Sequence, residues 1–172
     1  SRGLGDVYKR QIEDSAQSLG CRINGKNLGT FGDIGVFSLN VNKQINCGEG
    51  GVCVTNNEEL CLRLRLIRNH GETSVSASKV KDITNIAGYN YRLTELQASI
   101  AIPQLKRLDK LNSYRINLAN YLTNCLEEFD FLSSPDIRED SSHVYYLYPI
   151  KYNQNEISIS RDQFVEALVA EG

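Results

Sequence analysis

The 172-residue chain contains no methionine and no tryptophan, and only three prolines and two histidines. With no Met even at position 1, it reads as a fragment or a processed product rather than a complete translated frame. No charge of one sign dominates: 19 Lys and Arg face 21 Asp and Glu, for a net charge of -2. That balance excludes a generic basic nucleic-acid binder and a disordered acidic tail. No apolar run reaches the roughly 20 residues of a membrane span, and no secretory-signal pattern opens the chain. Neither nucleic acid nor membrane is therefore an expected partner. The cysteines (Cys21, Cys47, Cys53, Cys61 and Cys125) are odd in number and include no Cys-x2-Cys pair, and the chain holds no Asn-x-Ser/Thr sequon. Reduced thiols in a cytoplasmic protein, with no metal site, are the simplest expectation. Hydrophobic residues make up 41 %, which suits a folded globular chain of about one domain.

Residues 1–11 have no clear period and read as foreign to the domain. From Ile12 to Thr55 the sequence is Gly-rich with short apolar runs. Asn24-Gly25 predicts a hairpin turn, and Ile34 to Leu39 and Gly51 to Thr55 predict buried strands. Asn56, with Glu59 three residues on, predicts the cap of a helix whose apolar face is Leu60, Leu64 and Ile67. Residues 71–86 read as a polar loop. Thr94 opens a further helix, which Pro103 ends or kinks. The next helix places Leu108, Leu111, Leu118, Leu122 and Cys125 at helical spacing. Val144 to Ile150 predicts an aromatic strand and Ile157 to Ile159 a weaker one. Ser160-Arg161-Asp162-Gln163 is a capping box opening a last helix.

Four clusters carry candidate chemistry. Asp14 and Gln17 follow a short strand, at the kind of edge where open α/β sheets bind ligands. Ser38, Asn40 and Asn42 lead from a buried strand to a lone Lys43, which such a loop can desolvate into a nucleophile. Gly48-Glu49-Gly50-Gly51 matches neither a P-loop nor a dinucleotide fingerprint. Tyr89-Asn90-Tyr91-Arg92 precedes a helix N-terminus, which favours anions. Each cluster alone also fits an ordinary turn, cap or exposed side chain. Of the two histidines, His70 follows a helix and suits capping. His143 opens the C-terminal aromatic strand, where a substrate-side role competes with a structural one.

The order and spacing of these clusters are more specific than any one of them. The stretches IEDSAQSLG (12–20), GTFGDIGVFSLNVNKQINCGEGGVCVTNNEEL (29–60), IRNHG (67–71) and GYNYRLTELQASIAIPQLKRL (88–108) resemble the DegT/DnrJ/EryC1/StrS family of pyridoxal-phosphate-dependent sugar aminotransferases. The resemblance implies an α/β fold: the C-terminal part of a fold-type I transferase. Residues 12–126 would form part of the mixed-sheet large domain with connecting helices, and 127–172 the start of a small α+β domain. The N-terminal part of the large domain would be absent.

The resemblance also implies site roles. Lys43 matches the catalytic lysine that forms the Schiff base with pyridoxal 5'-phosphate. Asp14 matches the acid paired with the pyridine nitrogen, and Gln17 the residue beside the ring and its 3-hydroxyl. Ser38 matches a phosphate contact, and Asn90 a phosphate contact delivered by the partner subunit of a homodimer. Asn40 stands where many members carry His. The implied activity is amino transfer, with glutamate as donor, to a keto carbon of a nucleotide-linked sugar for polysaccharide or glycoconjugate synthesis. Two alternatives stand beside it. One is a pyridoxamine-dependent sugar dehydratase, a branch in which His replaces the lysine. The other is a non-catalytic sugar-nucleotide binder.

Overall fold

The structure is a computed structural model, and it describes residues 9–72 and 86–172. Its first strand, β1 (Ile12–Asp14), runs parallel to β4 (Ile34–Ser38), with Asp14 opposite Val36. β4 in turn pairs antiparallel with β5 (Gly51–Val54), giving a mixed three-stranded sheet of order β1-β4-β5. Because β1 and β4 are parallel, Asp14 and Ser38 end their strands at the same edge. Everything that follows these strands, including the loop with Lys43, is delivered to that edge.

Between them β2 (Arg22–Ile23) and β3 (Lys26–Asn27) form the expected hairpin. Its turn residues Asn24 and Gly25 both take positive φ, 49° and 76°, as a two-residue hairpin loop with the sheet's own twist requires. Glu13 fixes the approach to β4. Its carboxylate accepts the backbone N–H groups of Gly29, Phe31 and Gly32. Arg10 and Gln11, in the segment set apart from the domain by sequence, both bond to Asp33.

Helix α1 (Glu58–Arg68) starts one residue later than expected. Asn57, not Asn56, is its cap, with Oδ1 accepting the Leu60 N–H at 3.0 Å. Thr55 Oγ1 sets this register by taking the Asn57 N–H while donating to the Asp33 carbonyl. Glu59 then has no reciprocal capping role. Leu66 is buried, while Leu60, Leu64 and Ile67 are only half-buried. Past the helix, His70 and Gly71 take positive φ, and the Gly71 N–H returns to the Leu66 carbonyl. His70 thus ends the helix by its backbone, and its ring is exposed. The loop expected over 71–86 lies largely outside the described residues.

Helix α2 (Glu95–Leu105) opens with a full capping box between Thr94 and Gln97. Pro103 does not end it. The helix runs two residues further, and the Gln104 side chain donates to the Ile100 carbonyl, whose helical partner lies just past the proline. Helix α3 (Leu108–Leu126) buries Leu108, as expected, but then Asn112, Ala119 and Leu126, each one position past the row read from sequence. Leu111, Leu118 and Leu122 instead keep between 38 % and 52 % of their surface exposed. Asn112 decides this rotation: its amide donates to the Leu19 carbonyl at 3.1 Å, fixing that side of the helix against the β1–β2 connection. The core itself is Leu39, Ile45, Cys47, Ala101 and Leu108, with Leu19 packed on it. It sits directly beneath the Lys43 loop.

The C-terminal portion corrects two expectations. Val144 to Ile150 is not a strand, and neither is Ile157 to Ile159. Tyr145 takes a left-handed φ of 48°, and Pro149 has no N–H to donate, so the run cannot hold a continuous ladder. The short strands lie at its flanks. β7 (Ser141–Ser142) joins β2, and β8 (Lys151–Tyr152) pairs with β6 (Leu132–Ser133). Gln154–Glu156 forms a 3-10 turn ahead of the last helix, α4 (Arg161–Glu171), which has the expected Ser160–Gln163 capping box. Phe131, Tyr152 and Phe164 pack edge-on and tilted around one another to seat α4.

Candidate active site

Asp14 leaves β1 as the chain turns. Its Oδ1 accepts the Ala16 N–H at 3.0 Å, while buried Ser15 donates its N–H to the Val36 carbonyl. This local bond holds one carboxylate oxygen and leaves Oδ2 without a partner among the described residues. Gln17 follows on the same turn. Its carbonyl takes the Gln44 side-chain amide at 3.2 Å, and its own side-chain amide has no partner there. Gln44 is the buried neighbour of Lys43, so this bond ties the two candidate loops together.

Both Asp14 and Gln17 line a cleft of about 850 Å³. The opposite wall is C-terminal: Pro135 to Ile137, His143, Tyr146, Leu147, Pro149 and Lys151. Lys43 follows β4 on the next loop. Ser38 Oγ and Asn40 Oδ1 accept the N–H groups of Asn40 and Asn42, and the Lys43 N–H closes a turn onto the Asn40 carbonyl. Lys43 is not itself a lining residue, but its side chain meets the cleft wall at one point, with Nζ 4.4 Å from the centroid of the Tyr146 ring. Among the described residues Lys43 makes no ion pair. Asn40 is drawn away by Glu49, to which its side-chain amide donates at 2.8 Å.

Asn90 lies elsewhere. It forms an isolated antiparallel bridge with Asn69, and its neighbours Tyr89 and Tyr91 bond to the last carbonyls of α1 with their rings stacked. Arg92 donates to Asn69 Oδ1 rather than standing free at the α2 N-terminus. Asn90 is not part of the cleft lining.

Two cleft residues titrate away from their ordinary range. Burial pushes the His143 imidazole down, towards the neutral form. Its Nδ1 accepts the Tyr145 N–H at 3.1 Å, which leaves the hydrogen of the neutral ring on Nε2. Burial pushes the Cys21 thiol up, against a weaker backbone hydrogen bond with Val144. Cys47 is buried in the core and bonds to main-chain carbonyls, as a structural thiol does. No cluster of three or more metal-ligating side chains exists among the described residues.

A carboxylate oxygen and an amide thus share one cleft, and a half-buried amine touches a residue of its wall, each with bonding capacity unspent. This set fits a phosphorylated pyridine aldehyde: an amine for the carbonyl and an acceptor for a ring N–H. Sequence reasoning found Asp14, Gln17 and Lys43 but missed Tyr146, which it read as a strand aromatic.

The family profile of DegT/DnrJ/EryC1/StrS aminotransferases matches residues 10–172. The chain belongs to this family. Its enzymes depend on pyridoxal phosphate. An uncharacterized protein of Methanocaldococcus jannaschii, MJ1066, is 35 % identical over 170 residues, which is 95 % of this chain and 43 % of that protein. A DegT/DnrJ/EryC1/StrS aminotransferase from Brucella abortus superposes with a TM-score of 0.80 at 29 % identity, over 95 % of this chain and 40 % of the other. The E. coli GDP-4-keto-6-deoxy-D-mannose-3-dehydratase, solved with bound hydrated PLP, does so at 0.82 and 28 % identity, over 98 % and 46 %. The chain therefore spans less than half the length of these relatives. No helix among the described residues is long and apolar enough to cross a membrane.

Proposed function

We propose that the protein carrying this chain transfers an amino group from glutamate to a keto carbon of a nucleotide-linked sugar. It would do so in the cytoplasm, as a homodimer, in polysaccharide or glycoconjugate synthesis. The observation that carries the reading is that Asp14 and Gln17 line one cleft while the Lys43 amine lies against Tyr146 in its wall. Pyridoxal phosphate supplies, when bound, a ring that takes up the electron pair released at the carbon bearing the amino group. The chain's own residues do the rest. Lys43 Nζ would hold the cofactor covalently and, once released, move a proton to and from the reacting carbon. Asp14 would keep the ring nitrogen protonated by accepting its N–H. Gln17 would donate beside the ring, and the Ser38 hydroxyl would donate to phosphate. Asn90 would contact the phosphate from the second copy of the homodimer.

The similarity to a sugar dehydratase favours a second reading, removal of a sugar hydroxyl with the same cofactor. A lysine at position 43 favours transfer, since that branch carries a histidine there. The complete gene product, incubated with pyridoxal phosphate, is reduced with borohydride and its peptides are mapped by mass spectrometry. A pyridoxyl group on Lys43, lost in Lys43→Ala, is expected. Glutamate with keto-sugar nucleotides should then yield an amino sugar. A folded dimer with no adduct overturns the reading, and a deoxy sugar without amino transfer moves it to the dehydratase.

A further inference from the structure

Tyr146 meets Lys43 although nothing near either residue in sequence announces it. The segment around Tyr146 is pinned on both sides. Val144 is 2 % exposed, and the Tyr148 hydroxyl bonds to Thr123 Oγ1 at 2.6 Å. Between these anchors the left-handed turn at Tyr145 is held by its N–H bond to His143 and by stacking of its ring on Tyr148. The ring of Tyr146 is thereby fixed in the cleft wall, with the Lys43 ammonium 4.4 Å from its centroid. That distance is within cation–π range, where the negative ring face attracts a cation.

We propose that Tyr146 is a positioning residue for Lys43: its ring holds the amine at the cleft. The C-terminal segment thereby reports its placement directly to the residue that anchors the cofactor. This rests on the assignment of Lys43 above, but the contact exists without cofactor. The other titratable groups in the cleft lining are Asp14 at the end of β1, Cys21, Asp136, His143 and Lys151. None is ion-paired with Lys43, and Lys151 is paired with Asp136. The ring face is therefore the partner through which Lys43 can be perturbed selectively.

The test is acetylation of the cofactor-free gene product at one fixed pH, with the rate at the Lys43 peptide quantified by mass spectrometry. Tyr146→Leu removes the ring face. The Lys43 acetylation rate should rise about threefold, because the amine is no longer held against the ring. Tyr146→Phe keeps the face and should restore the parent rate, which a role resting on the hydroxyl would not allow. An unchanged rate in a folded Tyr146→Leu protein overturns the proposal. If the leucine variant loses its fold, Tyr146→Trp decides, because the stronger indole face should lower the rate and an unchanged value refutes it. The labelling is read without pyridoxal phosphate. A failed cofactor assignment shows instead as a missing pyridoxyl adduct, with the Tyr146 effect intact.

Discussion

Glu13 is the residue whose loss should tell most about how the cleft edge is built. Its two oxygens accept three backbone N–H groups from the turn that leads into β4, from Gly29, Phe31 and Gly32. Partial burial pushes its carboxyl up, but these three bonds, with the Lys26 ammonium, outweigh it and hold the group below its ordinary value. Glu13→Gln keeps the shape and one acceptor oxygen, and turns an amide N–H against at least one backbone N–H. Two charge-assisted bonds weaken to neutral ones and one is lost. At about 1 kcal/mol per neutral bond and roughly twice that when charged, the cost is on the order of 2–4 kcal/mol. That corresponds to a fall in Tm of roughly 5–15 °C. The pH dependence follows from the depressed value. Such a carboxylate contributes its stability above the unfolded-state value, near 4.5, and loses it as pH falls through the folded one. Thermal unfolding of parent and variant should therefore differ fully at pH 7, with the gap narrowing below about pH 4.5 as the parent's carboxylate protonates. Equal midpoints at pH 7, or a gap that ignores pH, would refute the reasoning.

Other outcomes follow from the same geometry. A Cβ at Gly35 would fall onto the carbonyl oxygen of Gly29. Gly35→Ala should therefore destabilise by about 1–3 kcal/mol, seen as a lower urea midpoint. Thr94→Ala removes the hydroxyl that accepts the Gln97 N–H and should cost about 1 kcal/mol in the same assay. Towards a disulfide reagent, exposed Cys53 and Cys125 should react first. Cys21 and Cys47, both buried, should react only on unfolding, and equal rates at all five thiols would contradict the described burial.

How much of this was legible in the sequence depends on the range of each interaction. Caps and turns are decided within four residues, so the Thr94 and Ser160 boxes and the Asn24-Gly25 hairpin are written in the local sequence. The Asp14–Gln17 and Asn40–Lys43 clusters are also local, and a parallel β1–β4 pair suffices to bring them to one edge. Where long-range contacts compete, local signals misled. The one-residue shift of the α1 cap follows from Thr55 reaching Asp33, and the buried face of α3 from Asn112 reaching Leu19. The aromatic run at 144–150 has the composition of a strand. It is instead a pinned irregular segment, because β propensity expresses only fit to a neighbouring strand and none is available there.

The sequence by itself determined the family, the strand-to-loop placement of Asp14, Ser38 and Lys43, and the capped starts of α2 and α4, since backbone sterics and capping act over a few residues. Only the tertiary structure decided the opposite wall of the cleft. Tyr146 and His143 face Asp14 and Lys43 because β7 joins β2 and Val144 is buried, and such pairings depend on the whole packed chain.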